Sequence, residues 1–135
     1  MPTERCTFWV ERHTRTGWVG VADLDGTEWY VGRDLFLLVC GPVPGGTPWW
    51  PEQANRPAGL GPPRGLPADV SAAVLAASAE PALCPSWATL GELDRLAGRL
   101  PATVADGQLT WVRQRMRECG GSADVRAVVW YRDRG

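Results

Sequence analysis

The chain has 135 residues, 44% of them hydrophobic and 21% charged, with a formal net charge of −1. That length holds one domain, residues 1–135, with a real core, and the near-neutral balance gives no electrostatic reason to bind nucleic acid. No apolar run is long enough to span a membrane, and Met1-Pro2-Thr3-Glu4-Arg5 opens no signal segment, so a cytoplasmic protein is expected.

Cys6-Thr7-Phe8-Trp9-Val10-Glu11 alternates, with Cys6, Phe8 and Val10 on one face, which predicts a strand. His13-Thr14-Arg15-Thr16-Gly17 turns the chain into a second strand, Trp18 to Ala22. Asp23-Leu24-Asp25-Gly26 then precedes a third at Glu28 to Val31, so the N-terminal part reads as a meander. Arg33 to Cys40 contains a short apolar run, read as a buried helix of about two turns although its periodicity also allows a strand. Residues 41–67 hold fourteen glycines and prolines, a density no regular element survives. A loop of that length in a compact domain is usually functional or disordered. Its Thr47-Pro48-Trp49-Trp50-Pro51 stretch predicts a lid, because two adjacent indoles left in solvent would endanger solubility.

Pro62-Pro63-Arg64-Gly65-Leu66-Pro67-Ala68-Asp69-Val70-Ser71 ends the loop, with Ser71 placed to cap a helix from Ala72 that Pro81 stops. Thr89-Leu90-Gly91-Glu92 is a capping box that opens a helix with Leu90, Leu93, Leu96, Ala97 and Leu100 in one stripe. Asp106 caps a further helix along Leu109, Val112, Met116 and Cys119, closed by Gly120-Gly121. Val125 to Tyr131 is a terminal strand. The expected architecture is α+β: an antiparallel sheet with three or four helices packed on one face and a long Pro/Gly-rich loop.

The landmarks Arg64-Gly65-Leu66-Pro67-Ala68-Asp69-Val70-Ser71 and Ser86-Trp87-Ala88-Thr89-Leu90, with the closing strand, resemble a group of small uncharacterised phage- and prophage-type proteins. That group carries Arg-Gly-Leu-Pro-x-Asp-Val-Ser and His-Ser-His-Ser-Trp-Leu-Thr-Leu, and opens on Cys-Asp-Ile-His. The resemblance implies architecture rather than an activity. This chain departs from it at Cys6-Thr7-Phe8-Trp9 and Leu83-Cys84-Pro85-Ser86-Trp87, which lack the group's histidines and aspartate. A polar site in such relatives would here be replaced by an aromatic and apolar one.

Four scattered cysteines and the single His13 do not make a metal site, and no phosphate loop or dinucleotide fingerprint occurs, so no cofactor is expected. All fourteen cations are arginine, the usage of a GC-rich, actinobacterial-type genome. Arg64 is either an anion ligand or the fastener of its own bend, through Asp69 or loop carbonyls. Cys84 is a candidate nucleophile, although His13 is the one imidazole available to activate it and a buried inert thiol is the plainer reading. Asp34, with Asp23, Asp25 and Glu28, is a candidate acid or base if an apolar pocket raises its pKa. Arg113 and Arg117 fall on one helical face, which reads as solvated.

Eight tryptophans are many for a domain this size to bury whole. Strand indoles facing one way beneath a Trp49-Trp50 lid would form an aromatic box for an apolar or planar small molecule, with Trp9, Arg64 and Trp87 at its walls. Such a protein would bind its ligand without cofactor, or guide a cyclisation or isomerisation with Asp34 or Cys84 as the polar group. The alternative is a binding module, phage-derived or homodimeric, that grips a protein partner with the Trp-rich loop. If the lid exists, replacing Trp49 and Trp50 together by alanine weakens ligand or partner binding; unchanged binding of both removes the lid.

Overall fold

The structure is a computed structural model that describes residues 4–23, 60, 64–78, 83–99 and 108–133. Four strands, β1 (Glu4–Thr14), β2 (Gly17–Asp23), β3 (Leu83–Thr89) and β4 (Val125–Asp133), form one antiparallel sheet in the order β2-β1-β4-β3. Among the described residues three helices accompany it: α1 (Ala72–Ala77), α2 (Leu90–Arg99) and α3 (Gln108–Arg117). The chain is an α+β protein, as its patterning predicts. The expected strand at 28–31, the expected helix at 33–40 and most of the 41–67 loop lie outside the described residues.

β1 and β4 run side by side at the centre, and their register sorts the side chains. Phe8 faces Val129 and Val10 faces Ala127 on one side of the sheet, while Thr7 faces Trp130, Trp9 faces Val128 and Glu11 faces Arg126 on the other. The first side is apolar at its centre. Leu90, Leu93 and Leu96 of α2 and Leu109, Val112 and Met116 of α3 bury themselves on Phe8, Val10 and Val129. These are the stripes that the 3.6-residue periodicity predicts. The capping box forms: the Glu92 N–H donates to Thr89 Oγ1 at 3.1 Å, and the Thr89 N–H donates to Glu92 Oε1 at 3.1 Å. Arg113 and Arg117 both reach Asp94 of α2, at 2.8 and 2.7 Å, so the face expected to be solvated clasps two helices together.

The helices do not all share one face. Val74 of α1 packs with Val128 and Trp130, together with Trp9, Leu66, Val70 and Trp87, on the side of the sheet opposite α2 and α3. The expectation of a single helical face fails here because α1 has one buried residue, too few to reveal which side it covers. Gly20 of β2 lets α1 come close: a Cβ there would stand 3.2 Å from the Ala73 Cβ and 3.3 Å from the Trp9 ring.

β3 is a second departure from expectation. Pro85 cannot donate to a ladder, and such a residue argues against a central strand. It is tolerated because β3 is an outer strand of the described sheet, with its register broken between Leu83 and Ser86.

On the α1 side the sheet carries a buried ion pair. The Arg126 Nε donates to Glu11 Oε1 at 2.6 Å, with the two side chains 4% and 0% exposed. The other Glu11 oxygen accepts the Ser71 backbone N–H at 2.7 Å. Ser71 in turn caps α1, its Oγ accepting the Val74 N–H at 3.3 Å. Arg126 also donates from Nη1 to Asp69 Oδ1 at 2.9 Å and from Nη2 to the Asp69 carbonyl at 3.3 Å. One buried carboxylate and one buried guanidinium thereby fasten α1 and its leading turn to the sheet. Removing one partner strands the other in a desolvated setting, at a cost of about 3–5 kcal/mol. Glu11→Leu or Arg126→Met alone is therefore expected to destabilise the fold by about that amount in urea unfolding, while the double variant recovers much of the loss. Equal and additive losses would mean that the pair is not coupled.

Candidate ligand-binding site

The α1 side of the sheet gathers the indoles. Trp9, Trp87 and Trp130 lie on this face with Val128, and Trp18 joins them through its pairing with His13 on the β1–β2 hairpin. The strand register accounts for this: residues directly opposite one another on antiparallel neighbours emerge on the same side, as do Trp9 and Trp87 opposite Val128, Trp130 opposite Thr7 and Trp18 opposite His13. The alignment of strand aromatics expected from the sequence is therefore present for these four.

Arg126 lies among the indoles. Its guanidinium carbon is 3.9 Å from the Trp18 ring centroid and 5.7 Å from that of Trp87. A guanidinium stacked on indole while its N–H groups reach carboxylates satisfies both its charge and its donors. The hydrogen bond from Arg126 holds the Asp69 pKa below its ordinary value. Asp69 is 66% exposed, so it closes the cluster toward solvent.

Arg64 closes the opposite side. It lies 5.0 Å from the Trp87 ring centroid, and its fork meets Glu92, Nη1 to Oε1 at 2.8 Å and Nη2 to Oε2 at 2.6 Å. Nη1 also donates to the Trp87 carbonyl at 3.1 Å, and the Arg64 backbone N–H donates to Ser86 Oγ at 3.0 Å. Gly65 follows with φ of +80°, a left-handed conformation that favours glycine, and its N–H donates to the Pro85 carbonyl at 2.9 Å. Arg64 thus fastens its bend, but through Glu92 on α2 and the β3 backbone rather than through Asp69, whose partner is Arg126.

Trp130 is buried completely, and its indole Nε1–H finds no hydrogen-bond acceptor. Among the described residues it is the one buried side-chain polar atom without a partner. Leaving a buried donor unpaired costs about 1–3 kcal/mol.

Three of the residues expected at a ligand site, Trp9, Arg64 and Trp87, are brought to one region of the fold. Asp34, Trp49 and Trp50 lie outside the described residues. Cys84 sits within the irregular part of β3 beside the Trp130–Tyr131 end of β4, and its side chain is outside the description. His13 lies at the other end of the sheet, its N–H bonded to the Asp124 carbonyl at 2.8 Å. Trp130 is six residue steps along from Asp124, about 20 Å at ~3.3 Å per residue, so His13 cannot activate Cys84. Among the described residues no group of three or more histidine, cysteine or acidic side chains could hold a metal ion. No described helix is long and apolar enough to cross a membrane.

Glu11, Asp69 and Arg126 were not singled out as site residues from the sequence. A signal was present: in Trp9-Val10-Glu11 and Arg126-Ala127-Val128-Val129-Trp130 a charge falls on the same strand face as indoles, which invites a search for its partner.

Compared with protein-family models, with curated proteins and with solved structures, the chain matches none.

The hydrogen bonds from Arg64 hold the Glu92 pKa below its ordinary value, and those same bonds raise that of Arg64. A carboxyl group with a lowered folded-state pKa stabilises the fold fully above its unfolded value, ~4.3, and the contribution is lost as the pH falls below that. Arg64→Gln is expected to cost about 0.5–1 kcal/mol at pH 7, because the pair is partly exposed, and less at pH 3. Urea midpoints at the two pH values check this; a cost that persists undiminished at pH 3 would assign the role to the Trp87 contact instead.

Proposed function

We propose that the protein binds a small molecule, apolar or planar in its body and carrying a hydrogen-bond acceptor, against the tryptophan face of the sheet. The observation that carries this reading is the Trp130 indole N–H, fully buried among apolar and aromatic side chains and without an acceptor. A ligand carbonyl or ether oxygen would recover that donor, and the half-buried rings of Trp9 and Trp87 offer the aromatic surface that small-molecule sites commonly use. Arg64 and Arg126 fix the orientation of Trp87 by lying over its ring.

Binding, rather than turnover, is what the described side chains support. Glu11, Asp69 and Glu92 are each engaged by an arginine, which suits them to hold structure and not to exchange protons. A cyclisation or isomerisation would draw its acid or base from a residue such as Asp34. The cytoplasmic setting and the kinship with phage-type proteins of the Arg-Gly-Leu-Pro-x-Asp-Val-Ser pattern belong to the same proposal.

The test follows the indole. In the 15N-labelled protein, a panel of planar aromatic ketones is expected to contain compounds that shift the Trp130 side-chain N–H resonance saturably. Trp130→Phe keeps most of the buried ring and loses only the donor, so it is expected to weaken those compounds up to about tenfold, the worth of one hydrogen bond. Binding of equal strength to Trp130→Phe, with the fold intact, would overturn the reading.

A further inference from the structure

On the solvent side of α2, and sharing Arg64 with the tryptophan cluster, lies an open groove of about 600 Å3 lined, among the described residues, by Leu60, Arg64, Glu92, Arg95, Gly98 and Arg99. That volume falls in the range of small-molecule sites, about 300–1,000 Å3. These described residues carry three guanidiniums and one carboxylate. Arg64 and Glu92 neutralise one another, so the surplus positive charge belongs to Arg95 and Arg99.

Arg95 and Arg99 stand four residues apart on α2, where like charges repel. No hydrogen bond or ion pair joins either to another described residue, whereas Arg113, Arg115, Arg117 and Arg126 all have carboxylate partners. The negative end of the helix dipole favours a cation in the last turn and accounts in part for Arg99. It does not account for Gly98. A glycine within a helix is disfavoured, and here no local demand calls for one. The described glycines with positive φ are Gly17, Gly65 and Gly120, so Gly98 is not a left-handed cap. A Cβ built on it would meet nothing within 4 Å, so no close packing requires it either. What the missing side chain does is leave this wall of the groove open beside two unpaired guanidiniums.

We propose that the groove is a binding site for a small organic dianion, a phosphomonoester or a dicarboxylate. Its charged end is held by Arg95 and Arg99, and its carbon skeleton lies against Leu60. Guanidinium forks match the paired oxygens of both anion types, and Leu60, itself packed on the core, supplies a fixed apolar wall. Arg64 borders the site but is already committed to Glu92 and the Trp87 carbonyl, so it shapes the groove more than it grips the anion. The proposal is independent of any ligand on the tryptophan face.

The experiment titrates the 15N-labelled full chain with inorganic phosphate, phenyl phosphate and phthalate, at an ionic strength held constant with sodium chloride. Phenyl phosphate or phthalate is expected to shift the backbone amides of Arg95, Gly98 and Arg99 saturably, and to bind more tightly than inorganic phosphate. Which of the two is preferred identifies the anion as phosphate ester or dicarboxylate. Arg95→Gln combined with Arg99→Gln is expected to weaken binding at least about tenfold, the scale of charge-assisted hydrogen bonds. Gly98→Leu fills the groove at a position with free space and better helix propensity, so it is expected to abolish binding without lowering the melting temperature. Shifts that chloride alone reproduces, or binding that survives both variants, would overturn the proposal. Because these shifts are read at α2 and not at the Trp130 indole, this outcome is separate from that of the tryptophan-face reading.

Discussion

The buried pair of Glu11 and Arg126 is the constraint on which the rest of the α1 side is built. Two charges withdrawn from water are tolerated only when their remaining donors and acceptors are met, and here they are met by a single short segment. Ser71 gives its backbone N–H to Glu11, and Asp69 gives a carboxylate oxygen and a carbonyl to Arg126. The turn that introduces α1 is thereby placed on the sheet to within hydrogen-bond tolerance. An apolar contact of similar area would have allowed it to slide. Polar specificity matters here because α1 is six residues long and could not hold its own position.

The two faces of the sheet divide the work between them. The side under α2 and α3 is an ordinary apolar core whose helices are further clasped by Asp94 with Arg113 and Arg117. The other side mixes indoles with ion pairs, and Arg64 ties the two together by pairing with Glu92 of α2 while lying over Trp87 of β3. Glu92 serves twice, as the capping-box residue of α2 and as the partner of Arg64. The helical layer and the loop segment on the indole side are consequently joined through one carboxylate.

How legible this was depended on sequence distance. The capping box at Thr89 and Glu92 spans three residues, and the leucine stripe that follows repeats every three or four, so both could be read directly. The role of Arg64 was readable as a fastening, yet not its partner, which lies 28 residues further along. Arg126 and Glu11 are separated by 115 residues, and no local pattern links them. β3 was hidden for another reason: Pro85 signals a break, and only its place on an outer, irregular strand makes it acceptable. No local pattern marks Arg95 and Arg99, because a groove is made by what stands opposite, here Leu60 and Arg64.

By itself the sequence determined the α+β class, the periods of β1, β2, β4, α2 and α3, and the cap at Ser71. These follow from local sterics and from burial at a repeat of two or near 3.6, which any short window contains. Only the tertiary structure decided that α1 and α2 cover opposite faces, that Asp69 belongs to Arg126 and Arg64 to Glu92, and that the Trp130 donor is buried with no acceptor. Those outcomes rest on ion pairing and enclosure between distant segments, where several partners are chemically equivalent and geometry alone chooses among them.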